Sequence, residues 1–304
     1  LRLEASDERA AEAGRRAVRE VAGAGPIEIV VLPEAALRGR SAWTAASVAE
    51  VRREPRHASE QVSQALQGEV LEPLLHEDGW VLGRQADGYV GWVRDWHLRL
   101  VAPDAVRAFH ERCTARVLST WSAVHVEPRA DAEVCAETVL GTAVEVRQRR
   151  SGWAEVELPA GRCGWLPETA LRPGLQAWPR DAAAIVATLR RFGGVPYLWG
   201  GRSPKGFDCS GLVQFVFGLH GLALPRDSDQ QARCGVAVDD PRCGDLLFFG
   251  SERVTHVAVA VDGADFLHAR GEVRCNSLAP DRPRHDPELR ALYRGARRVL
   301  DHTT

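Results

Sequence analysis

The strongest constraint on the fold is that part of this chain repeats itself. A shift of 73 residues aligns Glu54-Pro55-Arg56 with Glu127-Pro128-Arg129 and Glu60 with Glu133, without a gap. The same shift sets Gly68 on Gly141, Gly79-Trp80 on Gly152-Trp153, Gly88 on Gly161, Gly91-Trp92 on Gly164-Trp165 and Leu98-Arg99 on Leu171-Arg172. An ordered series of glycines and tryptophans at one offset means one structural unit used twice. In a chain of 304 residues it leaves room for one further domain, at roughly 100 to 200 residues per domain.

Within each copy, short alternating runs such as VEVRQ and WAEVELP lie between glycine-bearing turns, the pattern of small strands around a tight barrel. The expected division is an N-terminal segment 1–45, β modules at 46–105 and 106–173, and a third domain at 174–304. The spacing G-x10-GW followed by GxxGW resembles bacterial SH3-like modules. Its tryptophans serve core and rim packing or touch a ligand. In the N-terminal segment Ser6 and Asp7 offer a cap to a helical pattern through Val21, and PIEIVVLP reads as a strand. After the repeats, Asp181 caps a helical run with Ile185, Val186, Leu189 and Phe192 on one face, stopped at Gly193-Gly194.

Composition excludes several classes. Hydrophobic residues make up 45% and charged residues 26%, with a net charge of -2, the balance of a folded globular chain. Lys205 is the only lysine, and the arginines fall in short, acid-interrupted clusters, not the basic stripe of a nucleic-acid binder. No apolar run approaches the roughly 20 residues of a membrane span. The seven cysteines, 113, 135, 163, 209, 234, 243 and 275, lack CxxC spacing, so reduced thiols are expected and neither a disulfide framework nor a zinc knuckle is indicated. A cytoplasmic setting follows, with secretion left open because the chain lacks an initiator methionine and a leader could have been removed. No metal or organic cofactor is expected, and the chain is expected to act as a monomer.

The stretch GFDCSGLVQFVF places Cys209 in the first turn of a helix capped by Asp208 or its neighbour, with Leu212, Val213, Phe215, Val216 and Leu219 in helical register. Unpaired N–H groups and the helix dipole at that point favour thiolate over thiol. A thiolate cleaves an amide only if the departing amine is protonated, usually by histidine. His256 in VTHVAVAVDG and His268 in ADFLHARG lie on runs read as a hairpin around Asp262-Gly263-Ala264-Asp265, behind an acidic, aromatic GDLLFFG turn. His256 then faces Cys209 while His268 accepts its other ring N–H. Short-spaced paired ligands are missing from this set, so it does not read as a metal site.

YLWGG, FDCSGLV, LPRDSDQQ, GDLLFF, THVAV and FLHA, in this order over residues 174 to 300, resemble the NlpC-type family of bacterial cell-wall cysteine peptidases. With two SH3-like modules upstream, the chain is similar to γ-D-glutamyl-L-diamino-acid endopeptidases, which trim murein peptides. The resemblance implies an α+β, papain-like domain in which Cys209 is nucleophile, His256 general base and acid, and His268 the orienting third member. It implies also that Tyr197 and the Cys209 N–H bind the oxyanion, and that Trp199, Asp208 and Ser210 line the cleft. Asp227 and Ser228 then meet the free amine of an N-terminal L-Ala, with Glu60 and Tyr89 of the first module closing that end. Tyr89 has Arg162 as its counterpart in the second copy, and barrel packing would explain it equally. The modules would pack on the catalytic domain, and the substrate would be an L-Ala-γ-D-Glu-diamino-acid peptide, with diaminopimelate or lysine at the cleaved bond. The rival expectations are a hydrolase of intact wall anchored by its modules and a decayed murein-binding protein. Acyl transfer on the permuted fold would put histidine before cysteine.

Overall fold

The computed structural model describes residues 2–5, 9, 10, 12 and 28–300. The helix expected from Ser6 to Val21 falls outside these residues except at positions 9, 10 and 12, which are helical. Strand β1 (Arg2–Ala5) pairs in parallel with β2 (Glu28–Val31), the centre of PIEIVVLP.

The first repeat contains β3 (Ser41–Thr44), β4 (Val48–Arg52), β5 (Gln61–Leu66), β6 (Val70–Glu77), β7 (Trp80–Arg84), β8 (Val90–Arg94) and β9 (Leu98–Val101). The second contains β10 (Ala115–Val117), β11 (Trp121–His125), β12 (Val134–Val139), β13 (Ala143–Arg150), β14 (Trp153–Glu157), β15 (Cys163–Pro167) and β16 (Leu171–Pro173). The sheets run β5-β4-β8-β7-β6-β3-β9 and β12-β11-β15-β14-β13-β10-β16, so the 73-residue offset preserves topology strand for strand. Gly68 and Gly141 occupy the left-handed region at φ 87° and 91° before the longest strand of each copy, which explains why the repeat retains glycine there.

Each sheet wraps its own core, Ala49, Val51, Leu71, Val81 and Val93 in the first and Val124, Val144, Val156 and Leu166 in the second. Neither closes into the expected barrel: the edges β5 and β9, like β12 and β16, are not paired. Register shifts at Pro73/Leu75 in β6 and Val146/Gln148 in β13 bend the long strands, which curls a sheet without closing it. In the first repeat the β5 edge engages the C-terminal domain instead. Gln61 Nε2 donates to the Trp199 carbonyl at 2.9 Å, and the Arg202 N–H donates to Gln64 Oε1 at 2.9 Å. Arg202 also grips Glu69 with two guanidinium bonds of 2.7 and 3.0 Å. From the second repeat, Glu137 pairs with Lys205 and the Leu118 carbonyl accepts from Arg191 Nη2 at 2.6 Å.

The C-terminal domain begins with the helix Ala182–Arg190, capped by Asp181 through a 2.8 Å bond from the Ala184 N–H. Its six-stranded antiparallel sheet has the order β19 (Val236–Val238), β24 (Tyr293–Arg298), β20 (Leu246–Phe249), β21 (His256–Ala260), β22 (Asp265–Arg270), β23 (Glu272–Ser277); a two-residue ladder, β17 (Arg202–Ser203) and β18 (Gly206–Phe207), precedes it. GDLLFFG is therefore not a turn but central strand β20, buried on both faces, and a strand buried on both faces shows no alternation to read. The helix Cys209–Leu219 packs on this sheet through Leu212, Val213 and Val216, which share a core with Val257, Val259 and Leu267. The architecture is α+β.

Candidate active site

Asp208 fixes the start of the cysteine helix. Its Oδ1 accepts from the Gly211 N–H at 2.7 Å and its Oδ2 from the Gly200 N–H at 3.0 Å. A Cβ on Gly211 would lie 2.0 Å from the Gly201 carbonyl oxygen, so only glycine lets the helix begin against this loop. The Asp208 charge is met by Arg226, 2% exposed, whose Nη1 donates at 3.0 Å to both Asp208 Oδ1 and Ser210 Oγ and whose Nη2 bonds Oδ2. Arg226 Nε reaches Ser63 Oγ of the first repeat at 3.2 Å. In the sequence Arg226 stands out only as part of LPRDSDQQ, next to Asp227. Its signal was the carboxylate itself, which in so apolar a stretch requires a cation.

The hairpin of β21 and β22 turns at Asp262, whose Oδ1 accepts from the N–H groups of Ala264 and Asp265 at 2.8 and 2.7 Å. It brings His256 Nε2 to 2.8 Å from His268 Nδ1, and His268 Nε2 to 3.0 Å from Asn276 Oδ1 on β23. Asn276 Nδ2 donates to the Arg284 carbonyl at 3.4 Å, which sets the amide orientation. An amide oxygen only accepts, so His268 carries its proton on Nε2 and accepts at Nδ1. His256 consequently donates from Nε2 and presents a bare Nδ1. Asn276, which sequence reasoning missed, extends the histidine pair; it faces β22 across the next strand pair, where Phe266 and Asn276 are partners.

Burial works against the expected thiolate. Burial, with the Asp208 carboxylate beside it, pushes the Cys209 thiol up to about 11. Burial and the neighbouring His268 bring His256 down to about 3, and burial brings His268 down to about 4. Desolvation of a buried sulfur outweighs the helix terminus. His256 Nδ1, the bare atom at the end of the imidazole chain, can take a proton.

A cleft of about 710 Å³ gathers Cys209 with Tyr197, Trp199, Asp208, Ser210, Asp227 and Ser228, and adds Glu60 and Tyr89 from the first repeat. His256 opens instead on an adjoining hollow of about 280 Å³ that shares Tyr197 and Thr255 with the cleft, while His268 is buried behind it. Burial raises the hydroxyls of both Tyr197 and Tyr89 above the ordinary tyrosine range. Glu60 is already engaged: Arg53 Nε donates to its Oε2 at 2.7 Å and Trp199 Nε1 to its Oε1 at 2.8 Å, and these bonds hold its carboxyl below the usual range. Asp227 differs. Its side chain caps no N–H of the short helix that follows, and burial raises its carboxyl. Among the described residues no three His, Cys, Asp or Glu side chains converge as a metal site, and all seven cysteines are free.

Comparison with known proteins places two family matches on this frame. Residues 194–285 match the NlpC/P60 family, and residues 51–98 and 124–171 match the bacterial dipeptidyl-peptidase Sh3 domain. A gamma-D-glutamyl-L-lysine dipeptidyl-peptidase of Bacillus subtilis is 32% identical over 221 residues, 68% of this chain and 71% of the relative. A protein of the same name from Bacillus cereus is 28% identical over 261 residues, 80% of this chain and 77% of the relative. A crystal structure of an NlpC/P60 family protein from Bacillus cereus superposes with a TM-score of 0.72 at 24% identity, covering 86% of this chain and 99% of that one. No helix of the described residues is long and apolar enough to cross a membrane.

Proposed function

The chain belongs to the NlpC/P60 family of cysteine peptidases and carries two bacterial SH3 modules, and on that premise we propose that it hydrolyses the bond between γ-D-Glu and a diamino acid in murein peptides with a free N-terminal L-Ala. One observation carries this reading. The Cys209 thiol and the Asp227 carboxylate line the same cleft, which the first repeat helps to wall with Glu60 and Tyr89.

In this mechanism Cys209 Sγ attacks the γ-carbonyl carbon as its proton passes to His256 Nδ1. The oxyanion is met by the Cys209 N–H, unpaired in the first turn of its helix, and by the Tyr197 hydroxyl; a donor of this kind is worth about 2.7 to 4 kcal/mol. Collapse of the tetrahedral adduct breaks the C–N bond, and His256 returns its proton to the departing amine. Water then gives a proton to His256 and hydroxide to the thioester, and the imidazolium restores the thiol. His268 and Asn276 hold the His256 tautomer throughout, while Trp199, Asp208 and Ser210 shape the acyl side.

Asp227 and Ser228 receive the ammonium of L-Ala, with Glu60 and Tyr89 across from them. Asp227 is half-buried, and a carboxylate shielded from water that must pair with an ammonium disfavours substrates without that charge. Stems of intact peptidoglycan, whose L-Ala is amidated to the sugar, are therefore poor substrates. The test is mass spectrometry of products from L-Ala-γ-D-Glu-diamino-acid peptides with free or acetylated amines. The free peptide is cleaved at least about tenfold faster, and Cys209→Ala abolishes cleavage; equal turnover of both forms removes the amine-reading role.

A further inference from the structure

The hollow beside His256 carries a charged pair that the mechanism above does not use. Besides His256 and Tyr197 it is lined by Arg270, Gly271, Glu288 and Leu292. Arg270 Nη2 donates to Glu288 Oε2 at 2.7 Å, and Arg270 Nη1 lies 3.5 Å from Asp286 Oδ2. Asp286 is committed elsewhere, its Oδ1 accepting from the Leu289 N–H at 2.9 Å. Glu288 is the more solvated acid, with a side chain 65% exposed against 12% for Asp286.

Position in the reaction decides what enters this hollow. Cys209 lines the large cleft and His256 the small one, and the two meet at Tyr197 and Thr255. The group that protonates the departing nitrogen must touch it. The acyl portion lies with Cys209 and Asp227, so the residue on the leaving nitrogen extends past His256 into the smaller hollow.

We propose that Arg270 and Glu288 form a zwitterion-reading subsite for the leaving diamino acid, selecting a side chain that ends in both an ammonium and a carboxylate, as diaminopimelate does, over the single ammonium of lysine. This inference rests on the proposed reaction and names its substrate more closely. The ligand carboxylate lies on the Arg270 guanidinium and the ligand ammonium on Glu288, so the four charges pair in one ring of charge-assisted hydrogen bonds. A lysine side chain meets Glu288 alone and draws it from Arg270, which keeps only the longer contact to Asp286. One charge-assisted bond more or less corresponds to about a tenfold change in kcat/KM, or somewhat more.

The experiment measures kcat/KM on two free-amine tripeptides that differ only in the third residue, meso-diaminopimelate or L-lysine. The wild-type protein is expected to favour the diaminopimelate peptide by about tenfold or more, and Arg270→Leu to compress that ratio below about threefold. Arg270→Lys, which keeps the charge and the packing of the aliphatic stem, is expected to fall between them. Glu288→Gln is expected to slow both peptides, since both present an ammonium. Equal wild-type rates on the two peptides, or a ratio that Arg270→Leu leaves as it was, would overturn the subsite while leaving the peptidase reading intact. Cleavage of neither peptide overturns both.

Discussion

The Nε2 atom of His256 lies 2.8 Å from Nδ1 of His268, and that single contact sets the proton inventory of the site. With Asn276 Oδ1 accepting from His268 Nε2 at 3.0 Å, each ring has one protonated and one bare nitrogen, and the bare atom at the end of the chain is His256 Nδ1. Replacing Asn276 by leucine frees His268 to turn or change tautomer. A lost buried hydrogen bond of this kind costs about 1 to 3 kcal/mol, so kcat/KM falls about 5- to 150-fold. Asn276→Asp, which still offers an accepting oxygen, retains more activity than Asn276→Leu. Steady-state kinetics on a free-amine tripeptide checks the order, and equal rates for the two variants would remove Asn276 from the chain.

The buried thiol gives a pH signature. Because Cys209 is pushed up to about 11, the thiol form holds the proton below that value and ionises only as the pH rises towards it. The rate of Cys209 alkylation by iodoacetamide, followed by peptide mass spectrometry, is expected to climb about tenfold per pH unit from pH 7 to 10, in proportion to the thiolate fraction. A rate already at its plateau near pH 6 would indicate a thiolate–imidazolium pair and restore the expectation drawn from the helix terminus alone.

What the sequence conveys and what it withholds differ in physical kind. The repeat was legible because glycine at a positive φ, as at Gly68 and Gly141, tolerates few replacements. The cysteine helix and the histidine hairpin were legible through their periodicities and their turn at Asp262. Sheet closure was not, because pairing between the edge strands β5 and β9 depends on how far the bulge at Pro73/Leu75 bends the sheet. Strand β20 escaped because Leu246, Leu247, Phe248 and Phe249 are all buried. The burial of the thiol escaped for a related reason: a helix terminus is a local feature, whereas desolvation comes from the sheet packed over it.

Arg226 and Asp208 form a pair that is costly to halve. Both side chains are buried, and Arg226 also ties Ser210 and Ser63 to the helix start. Arg226→Met leaves the Asp208 charge uncompensated, and urea unfolding is expected to show a loss of about 3 to 5 kcal/mol. Adding Asp208→Asn removes that charge and is expected to recover about half of the loss, since an amide needs no cation. A double variant no more stable than Arg226→Met alone would mean that packing, and not charge, holds this corner.

Arg202 tests whether the first repeat helps to choose the substrate. Its guanidinium grips Glu69 in two bonds and the Gln64 carbonyl in a third at 3.0 Å, on the same strand edge that ends at Gln61 beside Glu60. Arg202→Ala weakens this joint without touching the cysteine, the histidines or Asp227. Glu60 and Tyr89 are then held less firmly against the proposed amine end, and the preference for free over acetylated peptides is expected to shrink from about tenfold or more to about twofold. Alkylation of Cys209 at pH 9 is expected to change little, because Asp208 and the Val257 backbone beside the thiol belong to the C-terminal domain. If the preference survives while the joint is demonstrably loosened, with the repeats unfolding separately in urea, amine reading belongs to Asp227 and Ser228 alone.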